Sequence, residues 1–445
     1  MTKYPDADFA VISDLHFYDT SLGCAGAAFE QELSIDRKML AESEELLDYM
    51  IGDLIDSNIK FLMVCGDLTK DGEAVNHEKL SVKLQMLVNH GIKVIVTPGN
   101  HDINNYNAAG FSGDTKSSVS SIAAEDFKRI YSEMGYSDAL TSDSNSLSYV
   151  SEPIPGLWVL AIDSCRYDEN SAGGTGSIVG GKIEKSTEQW MSFVLSEAKK
   201  MNKAVIAFLH HGIIEHWDGQ ARQYPDCLVK NHDRIGQLLV SNNVSFVFTG
   251  HNHAQSIAQT NFSQKCLYDV GTGSLVTYPC PVRYCSLNNS GLTISTETIA
   301  DKLNSESGFS DIAKNAIKKS VNHMTSKSLL KYKLSDVDAE YIFDALGDAF
   351  VAHYSGDADM GQRPAVLLSK LSMWGKIIFA IQQKYVIDPL WESASRGNNH
   401  TNISLESEFA DEEYYSGEKF ILSVKKFVSR AFSNEKCANT AEKAV

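Results

Sequence analysis

Six short apolar runs, spaced by polar or helix-period stretches, constrain this chain most. They are residues 9–13, 61–65, 94–96, 158–162, 204–209 and 244–248. Each is too short for a helix, and most are rich in branched or aromatic residues, as buried strands are. Between them, residues 36–57 carry Leu40, Leu47, Met50, Leu54 and Ile55 at helical spacing, and residues 73–90 carry Leu80, Leu84 and Leu87. Further helices are expected at about 186–201 and 231–241. This alternation predicts an α/β fold. Residues 265–298 read instead as hairpins, with turn signals at Gly271, Gly273 and Asn288 to Gly291. Residues 104–121 and 169–181 read as long polar loops, the second at the edge of a site.

After Ala300 the pattern turns to helices only. Ser335 can cap a helix with Asp338 three residues on and Ile342, Leu346 and Phe350 in phase, and Gly356 fits its stop. Pro364 fits the first turn of another, with Leu367, Leu371, Trp374, Ile378 and Ile381 on one stripe. A last helix is expected at about 417–432, with Phe420, Val424 and Phe427 on one face. The expected division is therefore a domain at residues 1–300 and a helical domain at 301–445, packed against it.

The net charge is −17, most of it before residue 301. An acidic first half suits cation binding and disfavours long nucleic acid, which needs a basic track. The apolar runs stop short of a membrane span. The N-terminus lacks an apolar leader, so the default expectation is cytoplasmic, with export or anchoring requiring a segment not in this chain. The eight cysteines include no CxxC pair, so the expectation is mostly buried free thiols.

Chemistry-bearing residues fall just after the apolar runs: Asp14 and His16; Asp67; Asn100, His101 and Asp102; His210 and His211; His251 and His253. In an open α/β sheet, residues at the carboxyl ends of strands converge on one crevice. Carboxylate, imidazole and amide oxygen without thiolate suit Mn, Fe or Zn. In an extended segment, Asp-x-His and His-x-His would each present two side chains on one side. Asp67 can bridge two cations through its two oxygens, and such a pair clamps phosphate and generates hydroxide near neutral pH. Taken singly, Asp14 reads as a helix cap and Asp67 as a turn residue. Their joint occurrence favours ligands. His77 and His90 are expected on solvated helix faces and His232 near a cap. His216, Asp163, Thr272, Ser274, Tyr18 and Asn104 are rim candidates with ordinary structural alternatives.

In order, Asp14-Leu-His16, Gly66-Asp67, Gly99-Asn-His-Asp102, the strand-end His210 and Gly250-His-Asn-His253 resemble the motif set of the calcineurin-like metallophosphoesterases, over about residues 8–300. The resemblance implies a four-layered α/β/β/α sandwich. It implies one metal on Asp14, His16, Asp67 and His253, and a second on Asp67, Asn100, His210 and His251. His101 would protonate the leaving oxygen while hydroxide from between the metals attacks phosphorus. Asp102 would orient a histidine, and His211 would sit at the rim. Asp71 stands where the family often carries a further acid, and its role is open. The layout also resembles the bacterial cyclic nucleotide phosphodiesterase branch, some members of which add C-terminal helices. That implies a small phosphodiester as substrate, with a phosphomonoesterase or nucleotidase as the alternative and a non-catalytic metal scaffold as the remaining one.

Overall fold

Apolar runs that are buried on both faces need elements on each side to cover them, and the fold supplies these as layers. The computed structural model describes residues 3–172, 176–262, 265–303, 308–358, 363 and 368–405. Strands β1 (Ala7–Ile12), β2 (Phe61–Cys65) and β3 (Lys93–Thr97) run parallel. Of the helices between them, α1 (Ala27–Ile35) precedes the crossover pair α2 (Ser43–Ile55) and α3 (Ala74–Asn89). The last two bury Leu47, Met50, Leu54, Leu80, Leu84 and Leu87. The helix expected from residue 36 begins only at Ser43. Asp36 Oδ1 takes the backbone N–H groups of Arg37 and Lys38, a local turn that competes with helix.

Between residues 104 and 121 the expected loop contains a hairpin, β4 (Ala109–Ser112) and β5 (Thr115–Ser118). Ala109 and Phe111 join Tyr18, Phe29 and Leu40 in a small separate core. After α4 (Ala124–Ile130) comes a second sheet. Its strands are β6 (Thr141–Ser142), β7 (Tyr149–Ile154), β8 (Leu157–Ile162), β9 (Ala204–Leu209), β10 (Phe246–Thr249), β11 (Ser256–Phe262) and β12 (Lys265–Gly271), in the spatial order β11-β12-β10-β9-β8-β7-β6. The helices α5 (Lys185–Lys200), α6 (Gln220–Gln223) and α7 (His232–Ser241) lie along this stretch. The hairpin β13 (Pro281–Asn288) and β14 (Gly291–Thr298) returns to the first sheet, beside β1.

The two sheets share a core: the Phe9 ring stands edge-on to Phe248 at 5.5 Å, and Tyr149 Oη donates to Val96 O at 2.8 Å. Alternation along β9 shows the layering. Ala204, Ile206 and Phe208 face that core, whereas Val205, Ala207 and Leu209 face a second cluster with Met191 and Val194 of α5 and Ile235 and Leu239 of α7. The result is the α/β/β/α sandwich.

The C-terminal region is helical, with α8 (Phe309–Leu329), α9 (Asp336–Ser355), α10 (Met373–Gln382) and α11 (Asp388–Ala394). Ser335 caps α9 by accepting the Asp338 N–H, and Gly356, at φ 64°, stops it. Two expectations are corrected. The stretch is not helices only: β15 (His400–Ser404) pairs with β14 and extends the first sheet. The helix placed from Pro364 begins at Met373, capped by Ser372, whose hydroxyl is held by Asp338. Along it Ile378 is buried while Trp374 and Ile381 are exposed, so the stripe is not one buried face. Residues 364–367 and the helix expected at 417–432 lie outside the described residues. The tail is stitched to the sandwich by Gln255 N–H to Tyr354 O at 3.0 Å, Ile257 N–H to Asn398 Oδ1 at 2.8 Å, and the buried Arg283 to Asn398 O at 2.6 Å.

The cysteines among the described residues are free, with Cys65, Cys280 and Cys285 buried and Cys24 exposed. Among the same residues, no helix is long and apolar enough to cross a membrane.

Candidate metal centre

Five of the candidate residues sit in strained backbone at strand ends: Asp14 (φ 50°), His16 (37°), Asp67 (51°), His251 (66°) and His253 (56°). L-residues rarely take positive φ, and such strain collects at functional sites. The Asp-x-His and His-x-His segments are therefore tight turns rather than extended strand, which corrects the expectation. The turns are clamped to each other: Asp14 N–H donates to Gly66 O and His16 N–H to Asp67 O, both at 3.0 Å, and Gly250 N–H to His210 O at 2.9 Å. Gly99 is needed for close approach, since a Cβ there would lie 2.1 Å from both the Asp67 nitrogen and Oδ1.

The turns bring two groups of donors together. In the first, His16 Nε2 is 3.2 Å from His253 Nε2, Asp14 Oδ1 is 3.3 Å from His253 Nε2, and Asp67 Oδ2 is 3.6 Å from His16 Nε2. In the second, His210 Nε2 lies 3.0 Å from Asn100 Oδ1, 3.0 Å from His251 Nδ1 and 3.3 Å from Asp67 Oδ2. Asp67 is common to both, through Oδ2 alone. Its Oδ1 accepts the His101 N–H at 2.9 Å.

Neighbouring groups aim these donors. His210 Nδ1 donates to Cys65 O at 2.8 Å, which turns Nε2 toward the group; burial lowers the ring's pKa, but Asp67 outweighs it and raises it to about 9. His253 Nδ1 pairs with Thr277 Oγ1 at 3.1 Å. Asp14 Oδ2 accepts from Ser13 Oγ and from the His251 N–H, and Ser274 Oγ donates to Asp14 O. Burial holds His16 and His251 well below the usual imidazole range, so both rings stay neutral. Burial pushes Asp67 up, but the charges of His210 and His101 outweigh it and hold the carboxyl well below its usual range.

The donors fit cations. Asp14 Oδ1 and His16 Nδ1 are buried without hydrogen-bond partners, a costly state that a bound ion relieves in Asp14 directly. The Nε2 atoms of His16 and His253, 3.2 Å apart, face the same point as Asp14 Oδ1. The described residues contain four overlapping groups able to hold an ion, and together they include Asp14, His16, Asp67, His210, His251 and His253. Every donor is nitrogen or oxygen.

His101 stands beside both groups, its Nε2 4.0 Å from Asp67 Oδ2 and its side chain 24% exposed. Asp71, whose role the sequence left open, accepts from His101 Nδ1 at 2.8 Å. Burial lowers the His101 pKa, but Asp67 and Asp71 outweigh it and raise it.

The remaining candidates divide. His211 bonds Ser164 Oγ and Val179 O, each at 2.8 Å, so both its nitrogens are engaged beside the site. Asp102 does not orient a site histidine through its carboxylate. It accepts from Gly99, Leu68 and Thr69 N–H, stapling two of the turns together, and burial raises its pKa to about 7. His77 is buried rather than solvated, bonded to Thr69, Tyr131 and Asp102 O, while His90 is exposed. Asp163 is tied up by Leu147 N–H, Cys165 N–H and Tyr167 Oη. Tyr18 is fully buried, and Asn104 reaches Tyr167 O. Buried His216 lies 3.4 Å from Asp269, and Thr272 is buried. Sequence reading missed Ser13, Thr277, and the Arg37–Lys38 pair, whose positive charges bear on His253. Nothing in their local pattern marks them.

Two packed sheets whose strand ends gather two nitrogen- and oxygen-rich groups around one shared carboxylate define a metal-dependent hydrolase scaffold. A profile of the calcineurin-like phosphoesterases matches residues 7–255, and the chain belongs to that family. A comparison with curated proteins found no match. Among solved structures, the chain is similar to a dimetal phosphatase from Danio rerio (17% identity, 66% of this chain and 97% of that one, TM-score 0.45). It is similar to purple acid phosphatase PPD1 from yellow lupin seeds (10% identity, 67% and 52%, TM-score 0.41). It is also similar to the phosphopantetheinyl hydrolase of Mycobacterium tuberculosis (14% identity, 60% and 90%, TM-score 0.33).

Proposed function

We propose that this chain is a binuclear metal-dependent phosphodiesterase acting on a small phosphodiester, with cyclic nucleotides as the favoured class. The observation that carries the reading is the Asp67 carboxylate shared between two donor groups, with His101 beside it. Asp14, His16, Asp67 and His253 would hold one ion, and Asp67, Asn100, His210 and His251 the other, with Mn or Fe favoured over Zn. Bound there, two such ions supply positive charge against the phosphoryl oxygens and lower the pKa of water. The chain's own residues do the rest. His101 presents Nε2 toward the shared carboxylate while Asp71 fixes the ring through Nδ1, so Nε2–H can protonate the departing oxygen. The substrate class rests on the resemblance in motif layout, including Gly250-His-Asn-His253 and the added C-terminal helices.

The test compares hydrolysis of bis-p-nitrophenyl phosphate with p-nitrophenyl phosphate, Mn²⁺ supplied and a chelated control run alongside. Faster, chelator-sensitive cleavage of the diester supports the reading and justifies a screen of cyclic nucleotides. Faster cleavage of the monoester moves the assignment to a phosphatase or nucleotidase. Bound metal without cleavage of either ester, or of any cyclic nucleotide, leaves a non-catalytic scaffold.

A further inference from the structure

Behind His101 runs a chain of ionic contacts that the reaction itself does not call for. Asp71 Oδ1 receives His101 Nδ1 at 2.8 Å and Asn105 Nδ2 at 3.3 Å. Its Oδ2 receives Lys70 Nζ at 2.5 Å. Lys70 is 2% exposed, and its ammonium also meets Glu32 Oε1 at 2.9 Å. Glu32 belongs to α1, and its other oxygen pairs with Lys116 of β5 at 2.8 Å. A buried ammonium is costly unless paired. Burial pulls the Lys70 pKa down, but Asp71, Glu32 and Glu73 outweigh it, so Lys70 stays charged. A lysine tail held between two carboxylates has one place to go, and it fixes the carboxylate that fixes the histidine.

The geometry points to Lys70 and Glu32 as a positioning pair for His101, supplied in part by the α1 and β4–β5 module rather than by the metal-bearing strands. The inference rests on the reading of His101 as the acid. Lys70 touches neither donor group. It acts through Asp71, holding Oδ2 so that Oδ1 stays on the ring. Glu32 completes the pair, because without it the Lys70 ammonium would keep only one of its two bridging carboxylates. The module carries its own small core of Tyr18, Phe29, Leu40, Ala109 and Phe111, so its docking and the orientation of the acid are linked through this contact.

A positioning role differs from a merely structural one in how it depends on the leaving group. Phenyl esters need protonation of the departing oxygen more than p-nitrophenyl esters do. In the metal-loaded enzyme, Lys70→Met is expected to lower kcat on phenyl esters about 10-fold or more, part of the roughly 10²–10⁴-fold that general acid catalysis supplies. On p-nitrophenyl esters the change is expected within about twofold, with metal content unchanged. Lys70→Arg should recover most of the loss. Glu32→Gln, a milder change on a partly exposed helix, should show the same leaving-group dependence at smaller size. In a His101→Ala background, Lys70→Met should add nothing. Equal losses on both esters for Glu32→Gln, or a further loss in the His101→Ala background, would overturn the pair. If His101→Ala itself shows no leaving-group dependence, it is the reading of His101 as the acid that fails.

Discussion

The Asp14 carboxylate lies 3.3 Å from His253 Nε2, and its second oxygen takes the His251 N–H at 2.9 Å. One side chain at the end of β1 thus fastens the segment after β10 by a donor and by the backbone. Asp14→Ala removes a donor and releases that turn. Residues that only orient a metal ligand typically cost 10–100-fold in affinity when replaced, so a direct donor should cost at least about that. The expectation is that metal content, by elemental analysis, falls from about two ions per chain toward one, with near-native circular dichroism. Two ions retained at stoichiometric metal would remove Asp14 from the set.

Gly99 stands against Asp67 without room for a methyl group, whose carbon would lie 2.1 Å from the Asp67 nitrogen and Oδ1. Gly99→Ala must therefore displace the shared carboxylate or the turn that carries His101. Overpacking of this kind costs about 1–3 kcal/mol. The expectation is a lowered melting temperature together with metal loss and at least about 10-fold lower activity. Gly52→Ala in α2 is the control, because its Cβ meets nothing within 4 Å. It should raise stability by about 0.5–1 kcal/mol and leave activity alone. Wild-type metal content in Gly99→Ala would show that the crowding is relieved elsewhere.

Much of this site was legible because strand ends carry it. The runs at Phe61 to Cys65 and Ala204 to Leu209 became β2 and β9 with the same bounds, and Asp67 and His210 follow them directly. Topology then brings such ends together, so the convergence needed no side-chain detail. The backbone conformation was not legible. Period-two reasoning assumes extended chain, but clamping between neighbouring turns put Asp14, His16, Asp67, His251 and His253 at positive φ. Nor was Asp102 legible as a staple, since an aspartate five residues past a strand looks the same whether it faces a metal or three backbone N–H groups. His77 misled for a related reason. It stands three residues before Leu80 and seven before Leu84, in phase with the leucine stripe, and was expected on a solvated face only because it is polar; Thr69 and Tyr131 satisfy its nitrogens in the core. β15 was missed because strand pairing at a sheet edge depends on a partner far along the chain, and His400 to Ser404 is too short and polar to announce it.

Acid stability offers a test away from the metal centre. His353, on α9, is 3% exposed, and its Nδ1 has no hydrogen-bond partner. Burial, helped by the nearby positive charge of Arg396, lowers its pKa from 6.5 to about 3. The unfolded chain, with its higher pKa, takes up the proton first as pH falls. The neutral, buried ring therefore contributes stability that is fully present above pH 6.5, erodes below it, and is gone once pH has fallen through about 3. One such group gives a slope of at most about 1.4 kcal/mol per pH unit. His353→Leu removes the titrating group and leaves an uncharged side chain at the buried position. Urea unfolding of wild type and variant between pH 7 and 5 should show the wild type losing stability faster, with the difference growing toward that slope below pH 6. Parallel curves across the range would mean that His353 is protonated in the folded protein or exposed.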